Sequence, residues 1–200
     1  MIHHIYSYGY GGFGLYTDEG STGVLMENNL VYKCKSTGFH QHFGERNVIR
    51  NNIFVDQVKV QLAATRPEDH LSFTFTGNVI CYNTGKMYSG KWNDVNFDAT
   101  HNLYWNATGT VSFNGKTLAE WQESTGKDKG SIIADPRFTD LSSGDFTMKN
   151  RQALRKIGFK PFDWTQAGVR GDDAWKAAAR LNPKREAQYE SAVAKYEASN

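Results

Sequence analysis

The sequence predicts an all-β fold: a right-handed parallel β-helix with a C-terminal loop and helical extension. Three observations predict it. The first is a repeat. Asn29, Asn52, Asn78 and Asn102 head equivalent segments spaced 23, 26 and 24 residues apart. The second is alternation around each asparagine. Position +1 is Leu30, Ile53, Val79 or Leu103, position +3 is Tyr32, Val55, Cys81 or Trp105, and position −3 is Met26, Ile49, Phe75 or Ala99. All twelve are apolar, whereas position −2 (Glu27, Arg50, Thr76, Thr100) is polar, the period-2 pattern of strands meeting at a polar bend. The third is length: a repeat this short cannot bury its own face, but stacked turns build one continuous core. An asparagine buried at the bend can donate to, and accept from, its equivalent one turn away, about 4.8 Å off.

The elements follow in chain order. Residues 1–115 read as turns of the solenoid, the C-terminal part of a longer one. The first fourteen residues are aromatic and Gly-rich, with neither a polar cap nor the basic and apolar regions of a secretory signal. A first turn in this state leaves strand edges open, so an upstream region or an oligomer partner is expected to cover it. Residues 116–171 read as an irregular capping region. Within it Thr117, with Glu120 three residues on, starts a short helix, and residues 144–148 form a short strand. Residues 172–200 are Ala-rich and charge-balanced and read as a solvated helical tail interrupted near Pro183.

Composition narrows the function. The 200 residues are 14% aromatic, too many for a disordered chain. A net charge of +2 without a basic cluster argues against nucleic acid. No apolar run approaches 18 residues, so no membrane-spanning segment is expected. Two cysteines make neither a disulfide framework nor a metal set. Cys34 and Cys81 stand about two turns apart, too far to bridge, and Cys81 occupies an apolar core position.

The chemistry gathers ten to twelve residues before each asparagine. There the turns carry Thr17, Asp18 and Glu19; His40, Gln41 and His42; Arg66, Pro67 and Glu68; and Gly90, Lys91 and Trp92, with His70 nearby. In register, acids, imidazoles, a guanidinium and an aromatic share one face. Glycosidic hydrolysis needs a proton donor and an opposed carboxylate. Glu19 and Glu68 both stand at −10, two turns apart, and are expected to be that pair, with Asp18 a substitute for either. Arg66 would keep Glu68 ionised as base or nucleophile, leaving Glu19 as acid, tuned by His42. Tyr16 and Trp92 would stack on a pyranose, and His40, His42, Arg66 and His70 would complete the substrate site. No cofactor is called for. The i, i+2 pair His40 and His42 also suits a metal, whereas adjacent His3 and His4 point to opposite faces. A lyase would need Lys91 or Arg66 as base and a cation at Asp18 and Glu19.

Segments 14–21 (GLYTDEGS), 27–32 (ENNLVY), 38–44 (GFHQHFG), 50–54 (RNNIF), 134–138 (ADPRF), 144–146 (GDF) and 154–163 (LRKIGFKPFD) carry a resemblance. Across residues 1–171 the chain resembles bacterial right-handed parallel β-helix proteins of the pectin-lyase-like superfamily, nearest to the glycoside hydrolase family numbered 141. The resemblance implies a secreted or periplasmic bacterial enzyme acting on a polysaccharide or oligosaccharide, with α-L-fucosidase or xylanase activity and a carboxylate pair. Proteins of that type are longer, with more turns upstream. Asp18, Glu19 and Glu68 come from the register and not from the family's catalytic motif. Polysaccharide lyase and non-catalytic glycan-binding or structural solenoid are the alternatives.

Overall fold

The computed structural model describes residues 1–180 and 182–198. It is a parallel β-solenoid of about four turns. The strands run in order β1 (Ile2–His3), β2 (Phe13–Thr17), β3 (Leu25–Glu27), β4 (Leu30–Tyr32), β5 (Thr37–Gln41), β6 (Asn47–Arg50), β7 (Ile53–Val55), β8 (Val60–Ala64), β9 (Phe73–Thr76), β10 (Val79–Tyr82), β11 (Lys86–Gly90), β12 (Phe97–Thr100) and β13 (Leu103–Asn106). Every third strand joins the same sheet. The orders are β2-β5-β8-β11, β3-β6-β9-β12 and β1-β4-β7-β10-β13, all parallel, so the cross-section has three sides.

The asparagine ladder lies at the bend between the second and third of these sheets. Asn29 Nδ2 donates to Asn52 Oδ1 at 3.0 Å, Asn52 Nδ2 to Asn78 Oδ1 at 3.0 Å, and Asn78 Nδ2 to Asn102 Oδ1 at 3.2 Å. Each acceptor oxygen also takes the preceding asparagine's backbone N–H, so the ladder satisfies bend groups that the sheets leave unpaired. Asn102 continues it into the last turn, where its backbone N–H donates to Ser131 Oγ.

The apolar positions divide between two cores. Position −3 faces the interior, as do the +2 residues Val31, Phe54, Ile80 and Tyr104. Positions +1 and +3 face outward, where a second layer covers them. That layer is the antiparallel hairpin β15 (Phe138–Asp140) and β16 (Asp145–Met148), helix α2 (Arg151–Lys156), and residues 157–164; before the hairpin, β14 (Ile132–Ile133) extends the third sheet. Helix α1 (Leu118–Thr125) carries the expected Thr117–Glu120 capping box and ends at Gly126. It places buried Trp121 on the last turn, with Trp121 Nε1 donating to Asp128 Oδ2 at 2.9 Å.

The tail forms α3 (Asp173–Ala178) and α4 (Pro183–Ala198), with Pro183 at a first helical position, where its missing N–H costs nothing. Of the tail expected over 172–200, residues 181, 199 and 200 lie outside the described residues. The expectation of a merely solvated tail needs correcting. The Tyr189 side chain of α4 is buried, its hydroxyl donates to the Lys33 carbonyl, and Glu190 pairs with Lys33 Nζ at 2.8 Å. The ring of Tyr189 meets His4 and Tyr6 edge-on, so α4 folds back on the N-terminal segment. A helix this polar gives no sequence sign that one tyrosine docks it. At the same end of the solenoid, Leu25 at the start of β3 and Val24 just before it are exposed.

Candidate functional site

The corner where β2, β5 and β8 end gathers the charged residues. Pairing runs Thr17 to Gln41 to Ala64 to Gly90, and Thr17 Oγ1 donates to Gln41 Oε1 beneath the corner. Two residues beyond those pairs come Glu19, Phe43 and Arg66. Glu68 is four beyond Ala64, so Glu19 and Glu68 do not share a register, contrary to the count from the asparagines. The corner after β8 is longer and contains Pro67, which the count treated as equal in length to the others.

Arg66 restores the meeting. Its Nη1 lies 2.6 Å from Glu19 Oε1 and its Nε 2.7 Å from Glu68 Oε1. The guanidinium lies over the Phe43 ring, 4.4 Å from its centre, a cation–π contact that holds the plane of the fork. His42 Nε2 stands 3.8 Å from Glu19 Oε1. Glu19 is the more open of the two acids, its side chain 65% exposed against 27% for Glu68. Asp18 is exposed and accepts the Glu19 backbone N–H at 2.8 Å on Oδ1.

The two imidazoles converge as i and i+2 on one strand face must. They converge on a hydroxyl: His40 Nε2 is 3.0 Å and His42 Nδ1 2.9 Å from Thr65 Oγ1. His40 corrects the expectation of a substrate contact, because it is only 3% exposed. Phe13 and Tyr16 cover it, their ring centres 4.5 and 5.0 Å from its own. Burial, and then the neighbouring His42, push its pKa down to about 4, so it is a neutral support for the corner. Tyr16 is half-buried and stacked on Phe13 at 5.1 Å. Its hydroxyl is pushed up to about 12, first by burial and then by a hydrogen bond with Tyr10.

Trp92 is a second correction. It is 2% exposed and packs against Tyr88 and Phe97 inside the solenoid, so it offers no surface to a sugar. The cause is local. Gly90 ends β11 at φ +70°, where a Cβ would sit 2.2 Å from the Ala64 carbonyl oxygen. The chain then turns through residues 91–94, closed by the Asp94 N–H to Lys91 carbonyl bond, and Trp92 swings inward. Its neighbour Lys91 points out toward Asp94, 3.7 Å away. His70 stands beside the corner, not in it: its Nε2 bonds the Gly44 carbonyl at 3.1 Å and its ring braces Phe43.

Counting from the asparagines missed three residues here. Thr65 ties the histidines, Phe43 seats the guanidinium, and Phe13 screens His40. The pairing of His40 with Ala63 sets Thr65 level with His42 and Phe43 level with Arg66, and that pairing, like the place of Phe13, is tertiary. No known family model, curated protein or solved structure matches the chain.

Proposed function

We propose that this protein is a carbohydrate-acting β-solenoid that hydrolyses a glycosidic bond of a polysaccharide or oligosaccharide laid along the Glu19–Arg66–Glu68 corner. The observation that carries this reading is the Arg66 bridge, which holds two carboxylates from different turns at the two ends of one guanidinium. Hydrolysis needs a carboxyl group that gives a proton to the leaving oxygen and a second that acts as base or nucleophile. Glu19, open to solvent and beside His42, takes the role of acid. Glu68, more enclosed and held by Arg66 Nε, takes the other role, and Asp18 is the substitute for either. Substrate binding would draw Arg66 off Glu19, freeing that carboxyl for the leaving group. Half-buried Tyr16 flanks the path of the sugar.

The resemblance to pectin-lyase-like proteins, and to the glycoside hydrolase family numbered 141, points the same way. It suggests a fucosyl or xylosyl linkage and a location outside the cytoplasm. The exposed Val24 and Leu25 suit cover by an upstream turn or a second copy. A lyase fits less well, because Arg66 is engaged by two carboxylates and Lys91 by Asp94. One observation favours a second reading, a non-catalytic glycan-binding solenoid: both acids are tied into ion pairs with the same guanidinium.

The test is a panel of polysaccharides assayed for reducing ends and for retention in affinity gels, with Glu19→Gln, Glu68→Gln and Asp18→Asn. Hydrolysis that falls on the order of 10³-fold in each Gln variant supports the pairing. Near wild-type rates in both Gln variants with a dead Asp18→Asn move the acid to Asp18. Retention without turnover establishes the binding reading. Neither turnover nor retention on any glycan removes the carbohydrate assignment.

A further inference from the structure

A polar cavity of about 240 Å³ lies on the third sheet, away from the carboxylate corner. The N-terminal segment, the bends after β4 and β7, the turn of the β15–β16 hairpin and the first turn of α4 enclose it. His4, Tyr32, Lys33, Asp56, Phe146 and Glu186 line it. The sequence offered His3 and His4 with no use for them, and the proposed hydrolysis uses neither.

The structure assigns to this cavity a small organic ammonium ion. The argument rests on the charges and rings that meet there. Tyr32 and Phe146 stand 4.6 Å apart, and His4 meets Tyr32 edge-on at 5.6 Å, so three rings share the wall. Aromatic rings attract a cation through their electron-rich faces, and more so where water is displaced. Two carboxylates, Asp56 and Glu186, add their charge. Among the described lining residues the one Lys or Arg is Lys33, which pairs with Glu190 at 2.8 Å and whose charge also acts on Asp56. An anionic ligand would meet two carboxylates with no unengaged cation among the lining residues.

The polar groups point to a donor-rich guest. His4 has a side chain only 7% exposed, and its Nε2 is buried without a hydrogen-bond partner. The nearest carboxylate oxygen, Glu190 Oε1, is 3.6 Å away, beyond hydrogen-bond reach. The other ring nitrogen, Nδ1, lies 2.8 Å from His3 Nδ1. Burial, and then the charge of Lys33, lower the pKa of His4, and in the tautomer whose Nδ1–H donates to His3 the acceptor is Nε2. Asp56 is fixed by the Asn83 backbone N–H at 2.7 Å and the Asn83 amide at 3.0 Å, while burial raises its pKa. A half-buried acid and an unused imidazole nitrogen both gain from a bound ammonium N–H. A volume of this size admits a compact amine and not a polymer.

The test is titration of the whole protein with choline, ethanolamine, glucosamine and putrescine, followed by the histidine and tyrosine ring resonances. Glucose and acetate are the neutral and anionic controls. Saturable shifts of His4 and Tyr32 with at least one amine, weakened about tenfold by Asp56→Asn and by Glu186→Gln, are expected, with no saturation by acetate. Unchanged dispersion of the other resonances in each variant shows that it has folded. If glucose binds as tightly as the amines, the charge argument fails. If no amine saturates the shifts, or both variants bind as the parent does, the assignment is overturned. None of these outcomes depends on glycan turnover at Glu19 and Glu68.

Discussion

Replacing Asn78 by Ala tests the ladder at an inner rung. Asn78 is fully buried, and its side chain makes four bonds. Oδ1 accepts from the Asn52 backbone N–H and from Asn52 Nδ2, both at 3.0 Å, and Nδ2 donates to the Ile49 carbonyl at 3.0 Å and to Asn102 Oδ1 at 3.2 Å. At about 1 kcal/mol net each, the four bonds are worth about 4 kcal/mol. Truncation also orphans the Asn52 N–H inside the bend, which by itself costs about 1–3 kcal/mol and overlaps with that sum. Asn29→Ala is the internal control. Asn29 is only half-buried, and its amide donates to Asn52 Oδ1 and to the Glu27 carbonyl, so its loss costs about 2 kcal/mol at most. Urea unfolding followed by far-ultraviolet circular dichroism gives both values. The expected order is Asn78→Ala well above Asn29→Ala, with Asn78→Asp also destabilising because its carboxylate faces the Ile49 carbonyl. Equal costs for the two alanine variants would refute the bond count that ranks the inner rung above the outer one.

Other outcomes follow from the buried polar groups. Asp128 is 1% exposed and accepts from Tyr104 and Trp121 at 2.9 Å and from Ser131 at 2.8 Å. Asp128→Ala is expected to cost about 3 kcal/mol or more and to alter Trp121 emission, read in fluorescence-monitored denaturation. For His40 the folded pKa, about 4, lies below the ordinary 6.5, so the unfolded chain takes up the proton first as pH falls. Stability should therefore be complete above pH 6.5 and decline toward pH 4 by up to about 3 kcal/mol, a slope that His40→Gln removes in a pH series of denaturation curves. Tyr189→Ala should release α4. Limited proteolysis near residue 180 would then quicken while the solenoid loses about 1 kcal/mol or less, and an unchanged cleavage rate would count against docking by that ring.

The repeat was legible because its causes are local. Strand alternation and the polar bend recur within each turn, so Asn29, Asn52, Asn78 and Asn102 could be aligned without coordinates, and the parallel solenoid follows from stacking them. The capping box at Thr117 and Glu120 is equally local. The two faces of the third sheet were not legible, because residues on both sides are apolar. Leu30 and Val31 look alike in sequence, yet one meets the hairpin layer and the other the interior.

The corner shows where the sequence stops deciding. Its residue types pointed to Glu19, His42, Arg66 and Glu68, which do meet, but the count that brought them together assumed corners of equal length. Corners are surface connections, whose length is free so long as the strands on either side stay paired. The pairing of Thr17, Gln41, Ala64 and Gly90 shifts Glu68 two residues past Arg66, and the reach of one guanidinium closes that gap. Trp92 and His40 went the other way. A left-handed turn at Gly90 carries the first into the core, and the rings of Phe13 and Tyr16 cover the second. The sequence by itself determined the period, the bend residues and which side chains could do chemistry. The tertiary structure decided which of them reach solvent, because burial depends on neighbours a full turn away.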